Sequence, residues 1–412
     1  MEITMKKLVI VILLPIQTTF NSKLMTKKLI LLFLNFPLFI FSQGIEITHG
    51  PYLQQMGENE ATIIWTTNND ALSWVELAPI GNDSFYAFER PKYYETAYGS
   101  KKIGKLHRIN LSGLQPGTEY RYRIFSKEIV SYENHRVLYG NIASSNVYSQ
   151  KPYQFRTLDV NAAKVSFRVV NDLHSRNENL RKMIGDTNRD NTDLVIFNGD
   201  MVSMLNDTEQ IFTGFMDTAV ALFAKEIPLF FSRGNHETRG RGSAGLYDYF
   251  PTKTGEFYYS FQAGPVFFII LDGGEDKPDS DIEYSELAHF DAYRSNQAEW
   301  LEFVVSSAAF QQASYRIVIM HIPPTATTWH GTKDVVRKFT PILNNADIDV
   351  MLCGHTHNYT FIEKGEDPAI NFPILINDDE NWLDIIVDSE IRIIQKDMYG
   401  SVLKNHFFLR NN

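Results

Sequence analysis

The 412 residues contain one cysteine, Cys353, so no internal disulfide can form and no thiol pair is available for redox exchange. Its position in the apolar run DVMLC reads as a small buried core residue, not a metal ligand. Basic charge is also short: 39 Lys and Arg stand against 49 Asp and Glu, a net charge of −10. Residues 1–42 hold five Lys and one Glu, and without them the balance is 34 against 48, or −14. That excess argues against non-specific nucleic-acid binding. It leaves a small phosphorylated substrate open, because bound metal ions can dominate the field of a site inside an acidic protein. The chain shows no solenoid period, no glycine-rich phosphate cradle and no Ser-His-Asp pattern, and its Pro and Gly content suits a globular protein.

Long apolar runs are missing too. The N-terminus has two short ones, LVIVILLPI after Lys6-Lys7 and LILLFLNFPLFIF after Lys27-Lys28, each shorter than a bilayer span. Both have the basic start and apolar centre of an export signal. A complete signal follows Met25, which suggests translation from Met25 and cleavage near Ser42, giving a secreted, periplasmic or surface protein with no remaining membrane span. An uncleaved anchor is the alternative.

Length favours two domains. From 44 to 158, short alternating segments such as ATIIWTT, SWVELAPI, HRINLSGL and YRYRIFS read as an antiparallel β-sandwich. Within it, Leu114, Pro116, Thr118 and Tyr120 resemble the corner of fibronectin type III-like domains, where a Tyr hydroxyl ties a strand to a neighbouring loop. After FRTLDVNAAK the rhythm becomes apolar strands alternating with amphipathic helices, and a second domain is expected over 164–410. Five strands stand out: VSFRVV, DLVIFNG, IPLFFSR, RIVIMHI and DVMLCG. Strand-helix-strand order predicts a largely parallel central sheet. The tail segments FPILIN, WLDIIV, IRIIQK and KNHFFL are expected to complete a second sheet of this domain. Helices are expected over TEQIFTGFMDTAVALFAKE, with Phe212, Met216, Ala219 and Phe223 on one face, and over NQAEWLEFVVSSA, opened by an Asn296 to Glu299 capping box.

Each of the five strands ends in a polar cluster: Asn171-Asp172-Leu173-His174, Gly199-Asp200, Gly234-Asn235-His236-Glu237, His321, and Gly354-His355-Thr356-His357. Ligand crevices in open α/β sheets lie at the carboxyl ends of strands, so these clusters can converge. Carboxylates to offset charge and bridge, imidazoles for affinity and a neutral amide oxygen are what two adjacent cations need. The glycines at 199, 234 and 354 suit tight turns. Taken singly, each cluster reads as a polar strand end or a turn; the ordered series of five does not.

This series resembles the calcineurin-like metallophosphoesterase family, and its placement behind a sandwich domain resembles the purple acid phosphatases. The resemblance covers nearly all of the chain after residue 42. It implies a four-layer α/β/β/α sandwich preceded by an all-β fibronectin type III-like domain, and two di- or trivalent ions of Fe, Mn or Zn. Asp172, His174 and His357 would hold one ion, Asn235, His321 and His355 the other, and Asp200 would bridge them. The implied reaction is hydrolysis of phosphate monoesters by a metal-held hydroxide, with Asp200 and His236 as catalytic residues. His236 would contact the phosphate and assist the leaving group, and His330, nine residues after His321, would face the substrate.

One feature departs from the purple acid phosphatases. They carry a coloured iron-binding Tyr three residues after the bridging Asp, where this chain has Ser203, and they lack the His of Asp-x-His, here His174. A colourless enzyme is therefore expected. Phosphodiester hydrolysis on the same core, or an inactive surface-binding protein, are the competing readings. The acidic loop GGEDKPDSDIEYSE, with Asp276, Asp279, Asp281 and Glu283, reads as a solvated insertion more than a cation site. Arg233 and Arg239 suit either substrate phosphate or neighbouring acids.

Overall fold

In the N-terminal region one strand of twenty residues, Glu60–Pro79, organises everything around it. Its first half pairs with Ile47–Gln54 on one side and Ile103–Ser112 on the other; its second half pairs with Glu119–Glu133 and Lys92–Tyr94. Because side chains alternate along a strand, Ile63 and Trp65 of the first half and Val75 and Leu77 of the second point inward. They join Ile109, Leu111, Tyr122, Ile124 and Phe155 in one buried core. The expected corner is present: the Gln115 backbone N–H donates to the Tyr120 hydroxyl at 2.9 Å. These contacts come from a computed structural model, which describes residues 44–325 and 328–409. The expected leader lies outside the described residues, and among these no helix is long and apolar enough to cross a membrane.

The second region has two mixed sheets. The first runs in the order Leu229–Ser232, Leu194–Asn198, Val165–Val170, Trp382–Val387, Glu390–Lys396, Val402–Leu409. The second runs Tyr259–Ala263, Val266–Leu271, Tyr315–Met320, Val350–Cys353, Ile374–Ile376, Thr360–Ile362. The strands that carry the polar clusters are parallel to their cluster-bearing neighbours within each sheet. The expectation of one central parallel sheet for all five is corrected: three lie in the first sheet and two in the second. The tail is also divided, since Ile374–Ile376 joins the second sheet while the last three strands extend the first antiparallel. Val266–Leu271, not anticipated, sits beside Tyr315–Met320 in parallel.

The two sheets face each other through Phe167, Val169, Ile196 and Phe230 of the first and Phe268, Ile270, Ile317, Ile319 and Leu352 of the second. Phe167 and Phe268 meet edge to face at 5.1 Å between centroids. The outer side of the first sheet packs on Leu180, Met183 and the Phe212, Phe215, Met216, Ala219, Phe223 face. That face is the one expected, although the segment contains π-helical turns at Phe212–Met216 and Val220–Ala224. The outer side of the second sheet, including Cys353, packs on Leu301, Val304, Phe310, Val335 and Phe339. This is the α/β/β/α layering. Leu301 and Val304 belong to a helix over Phe290–Val305, six residues longer at its start than the Asn296 capping box suggested. Asp279, far upstream, accepts from the backbone N–H groups of Phe290 and Asp291 and so supplies the cap.

The all-β region and the two sheets form one continuous core from Ile45 onward. Buried polar contacts fix the join: the Gln54 amide donates to the Leu229 carbonyl at 2.9 Å, Tyr52 to the Tyr249 carbonyl at 2.9 Å and Tyr122 to the Lys225 carbonyl at 2.7 Å.

Candidate metal centre

Five of the seven expected ligands turn the backbone where glycine is normally needed. Asp172, His174, Asp200, His355 and His357 have φ of 51°, 48°, 55°, 73° and 57°. A left-handed conformation costs a non-glycine residue on the order of 1 kcal/mol, so surrounding contacts must hold these turns. They do. The backbone N–H of Asp172 donates to Gly199 O at 3.0 Å, that of His174 to Asp200 O at 2.9 Å, and that of Gly354 to His321 O at 3.0 Å.

The glycines serve mainly close approach. A Cβ on Gly234 would lie 2.2 Å from Asp200 Oδ1, and one on Gly354 would lie 2.6 Å from Asp172 Oδ2. Of the three, only Gly199 has positive φ, at 79°.

The strand ends bring the seven side chains together. Asp172 Oδ1 lies 3.2 Å from His357 Nε2, 3.7 Å from His321 Nε2 and 4.0 Å from His174 Nε2. Asp200 Oδ2 lies 3.0 Å from His321 Nε2, and Asn235 Oδ1 lies 3.1 Å from His355 Nδ1. Among the described residues three donor groups form with ligand atoms within 4.8 Å of one another: Asp172-His174-His357, His174-Asp200-His236 and Asp200-His321-His355. Asp200 belongs to two of them. Asp172, Asp200, Asn235 and His321 make a buried floor, while His357, with 45% of its side chain exposed, marks an open rim.

The donor set fits cations. Asp172 Oδ1 and His321 Nε2 are buried and find no hydrogen-bond partner among the described residues; the 3.0 Å approach of His321 to Asp200 is not aligned for one. Buried polar atoms are ordinarily satisfied, and a metal ion would satisfy both. The electrostatics point the same way. Burial would lower the His321 pKa, but the Asp200 and Asp172 carboxylates outweigh it and push it up to about 10. Asp200 and Asp172 are held below the usual carboxylate range, against burial, by the surrounding histidines, led by His321. The cluster thus demands positive charge at its centre.

Several other residues near the centre have no role assigned by the sequence. Glu237, fully buried, accepts the backbone N–H groups of Asp200, Met201, Val202 and Gly234 at 2.9, 2.6, 3.2 and 2.9 Å, clamping two ligand turns together. Burial and the neighbouring Asp200 push its pKa up to about 7. Asn171 donates to Asp172 Oδ2 at 2.7 Å and is itself held by Asn377 at 3.0 Å. The acidic loop is not uniformly solvated: Glu275 and Asp276 are buried, and Asp276 Oδ1 lies 3.4 Å from His355 Nε2. In the sequence Asp276 is marked by the acidic loop, whereas Glu275 is marked only by its nearness to Asp272 at the end of the unanticipated strand.

His236 has Nδ1 2.8 Å from the Ser203 carbonyl, which can only accept, so Nδ1 carries hydrogen and Nε2 faces Asp200 Oδ2 at 3.8 Å. His330, 39% exposed, places Nε2 2.8 Å from Asp291 Oδ1. Arg233 pairs with buried Asp272 at 2.6 Å, and Arg239 with Glu275 at 2.7 Å.

Comparison with known proteins agrees with this architecture. Residues 165–359 match the family model described as calcineurin-like phosphoesterase, and residues 50–157 match the purple acid phosphatase N-terminal domain. The chain is 24% identical over 368 residues to purple acid phosphatase 21 of Arabidopsis thaliana, covering 84% of this chain and 75% of that one. It is 27% identical over 140 residues to the mouse (Mus musculus) serine/threonine-protein phosphatase CPPED1, covering 32% of this chain and 42% of that one. Purple acid phosphatase PPD1 from yellow lupin (Lupinus luteus) seeds shares the fold, with a TM-score of 0.64 at 16% identity, over 88% of this chain and 74% of that one. With an α/β/β/α core whose strand ends gather an Asp/His cluster behind an all-β domain, residues 165–359 belong to the calcineurin-like phosphoesterases, hydrolases of phosphoric esters, and the chain has the two-domain layout of purple acid phosphatases.

Proposed function

We propose that the protein is an exported phosphatase that holds two metal ions and hydrolyses phosphate monoesters. The observation that carries this reading is a chain of donor groups that share members: His174 joins the Asp172-His357 group to Asp200, and Asp200 in turn joins His174 to His321 and His355, beside which Asn235 lies. Bound there, the ions would supply Lewis-acid polarisation of the phosphoryl oxygens and a lowered pKa for water. Export rests on the N-terminal signal pattern.

The protein's own groups divide the remaining work. Asp172 and Asp200 bring negative charge, and Asn235 brings an uncharged oxygen. His236, fixed through Nδ1 by the Ser203 carbonyl, presents Nε2 toward Asp200 and can hold a proton for the departing ester oxygen. The open rim beside the buried floor lets an ester enter phosphate first.

Ser203 Oγ lies 3.4 Å from His174 Nδ1, so the imidazole of His174 occupies the space beside position 203. With imidazole there and no phenolate, the metal-loaded protein is expected to be colourless. Visible absorbance of the purified protein checks this, and a charge-transfer band would contradict it. The function is tested by metal analysis and p-nitrophenyl phosphate turnover before and after chelation. Loss on chelation and recovery with Mn, Zn or Fe is expected; no turnover with any metal would overturn the reading.

A further inference from the structure

The two arginines that flank Asn235-His236 are held in different ways. Arg233 directs Nε and a terminal nitrogen at Asp272, 2.8 and 2.6 Å away, with its guanidinium over the Phe257 ring and 13% of the side chain exposed. Its charge is consumed by a carboxylate that is itself fully buried. Arg239 is 36% exposed and directs Nε and one terminal nitrogen at Glu275, at 2.7 and 3.1 Å. Glu275 also accepts from the Thr238 hydroxyl at 2.9 Å and the Tyr284 hydroxyl at 3.2 Å, so the anchor is rigid. This grip leaves the other terminal nitrogen, Nη1, outside the pair. It lies 3.2 Å from His236 Nε2, the atom that also faces Asp200.

We infer that Arg239 selects dianionic phosphate esters: its Nη1, aimed with His236 Nε2 at the rim of the Asp200 cluster, binds a non-bridging phosphoryl oxygen that a diester lacks. This inference rests on the phosphomonoesterase reading. A monoester dianion has three non-bridging oxygens, and a diester has two and one less negative charge. A diester therefore brings an alkoxy group where the monoester brings an oxyanion. A guanidinium already fixed by a buried carboxylate loses little freedom on binding, and its hydrogen bond to an oxyanion is charge-assisted. The anchoring acid also offsets the charge of Arg239 in the free protein, so the guanidinium can stand beside the His236 imidazole.

The test uses the metal-loaded full chain and its Arg239→Met and Arg239→Lys variants. Each is measured for kcat/KM on p-nitrophenyl phosphate and bis(p-nitrophenyl) phosphate, for competitive inhibition by inorganic phosphate, and for thermal midpoint. For Arg239→Met, monoester kcat/KM is expected to fall about 10- to 100-fold, as loss of one charge-assisted hydrogen bond implies. Phosphate inhibition should weaken in parallel while diester turnover stays within about 3-fold, because the diester never used that bond. Arg239→Lys keeps the charge without the fork and should shift the same ratio less, which keeps the test open if the Met variant does not fold. Equal loss on both substrates, or an unchanged ratio with unchanged phosphate inhibition, overturns the inference. A wild-type chain inactive on both esters with every metal overturns the phosphomonoesterase reading beneath it.

Discussion

The two sheets contribute unlike donors to the same site. The sheet built on Val165–Val170, Leu194–Asn198 and Leu229–Ser232 delivers every oxygen donor, Asp172, Asp200 and Asn235, together with His174. The sheet built on Tyr315–Met320 and Val350–Cys353 delivers His321, His355 and His357, imidazoles only. Each oxygen donor of the first faces an imidazole of the second: Asp172 with His357 at 3.2 Å, Asp200 with His321 at 3.0 Å and Asn235 with His355 at 3.1 Å. Charge is thus concentrated in one sheet and neutral affinity in the other. Removing an acid should disturb the whole centre, whereas removing an imidazole should disturb one part of it.

The largest effect is expected from Asp200→Asn. It removes the buried carboxylate that joins His174 to His321 and His355, so turnover should fall by about 10³-fold or more and metal content should drop below two ions per chain. Full activity in this variant would sink the assignment. On the other sheet, His355→Ala should leave one ion bound and lower kcat/KM about 100-fold, as read by metal analysis on the same sample. If both ions were lost together, the proposed division between sheets would be wrong.

Glu237→Ala should act on the turns without touching a cation. It strips four backbone N–H groups of their acceptor and is expected to cost about 3 kcal/mol or more by chemical denaturation. Metal stoichiometry of the folded fraction should stay at two.

The smallest effect lies in neither sheet. In the all-β region, burial pushes the His107 imidazole down to about 4 from its ordinary 6.5, beside Thr67 at 2.9 Å. The unfolded chain takes up a proton through that window before the folded one does. Stability should therefore be greatest above about pH 6.5 and decline as pH falls toward 4, by a few kcal/mol at most. Urea midpoints of His107→Gln, compared with wild type across this range, should show a flatter slope. An equal slope would place the acid response in the metal centre instead.

Much of the site was legible because every donor follows an apolar strand, and strand ends are where such residues can meet. The division into two sheets was not. Val165–Val170 is buried at all six positions, Ser166 and Arg168 included, so its polar positions mark no solvent face and do not tell which neighbour covers each side. Val266–Leu271 is apolar at every position, and without that strand the pattern places Glu275 and Asp276 in a surface loop. The start of the helix at Phe290 depends on a cap from Asp279, eleven residues earlier, beyond any local pattern. His330 is marked in the sequence by spacing alone, and spacing does not reveal its contact with Asp291.

The most direct measurement is metal stoichiometry paired with phosphomonoester turnover in the wild type and Asp200→Asn. The expected result is two ions per chain with turnover that vanishes on chelation and returns with metal, and loss of both in the variant. Undiminished turnover in a metal-stripped wild type, or two ions and full turnover in Asp200→Asn, would contradict a centre shared through Asp200.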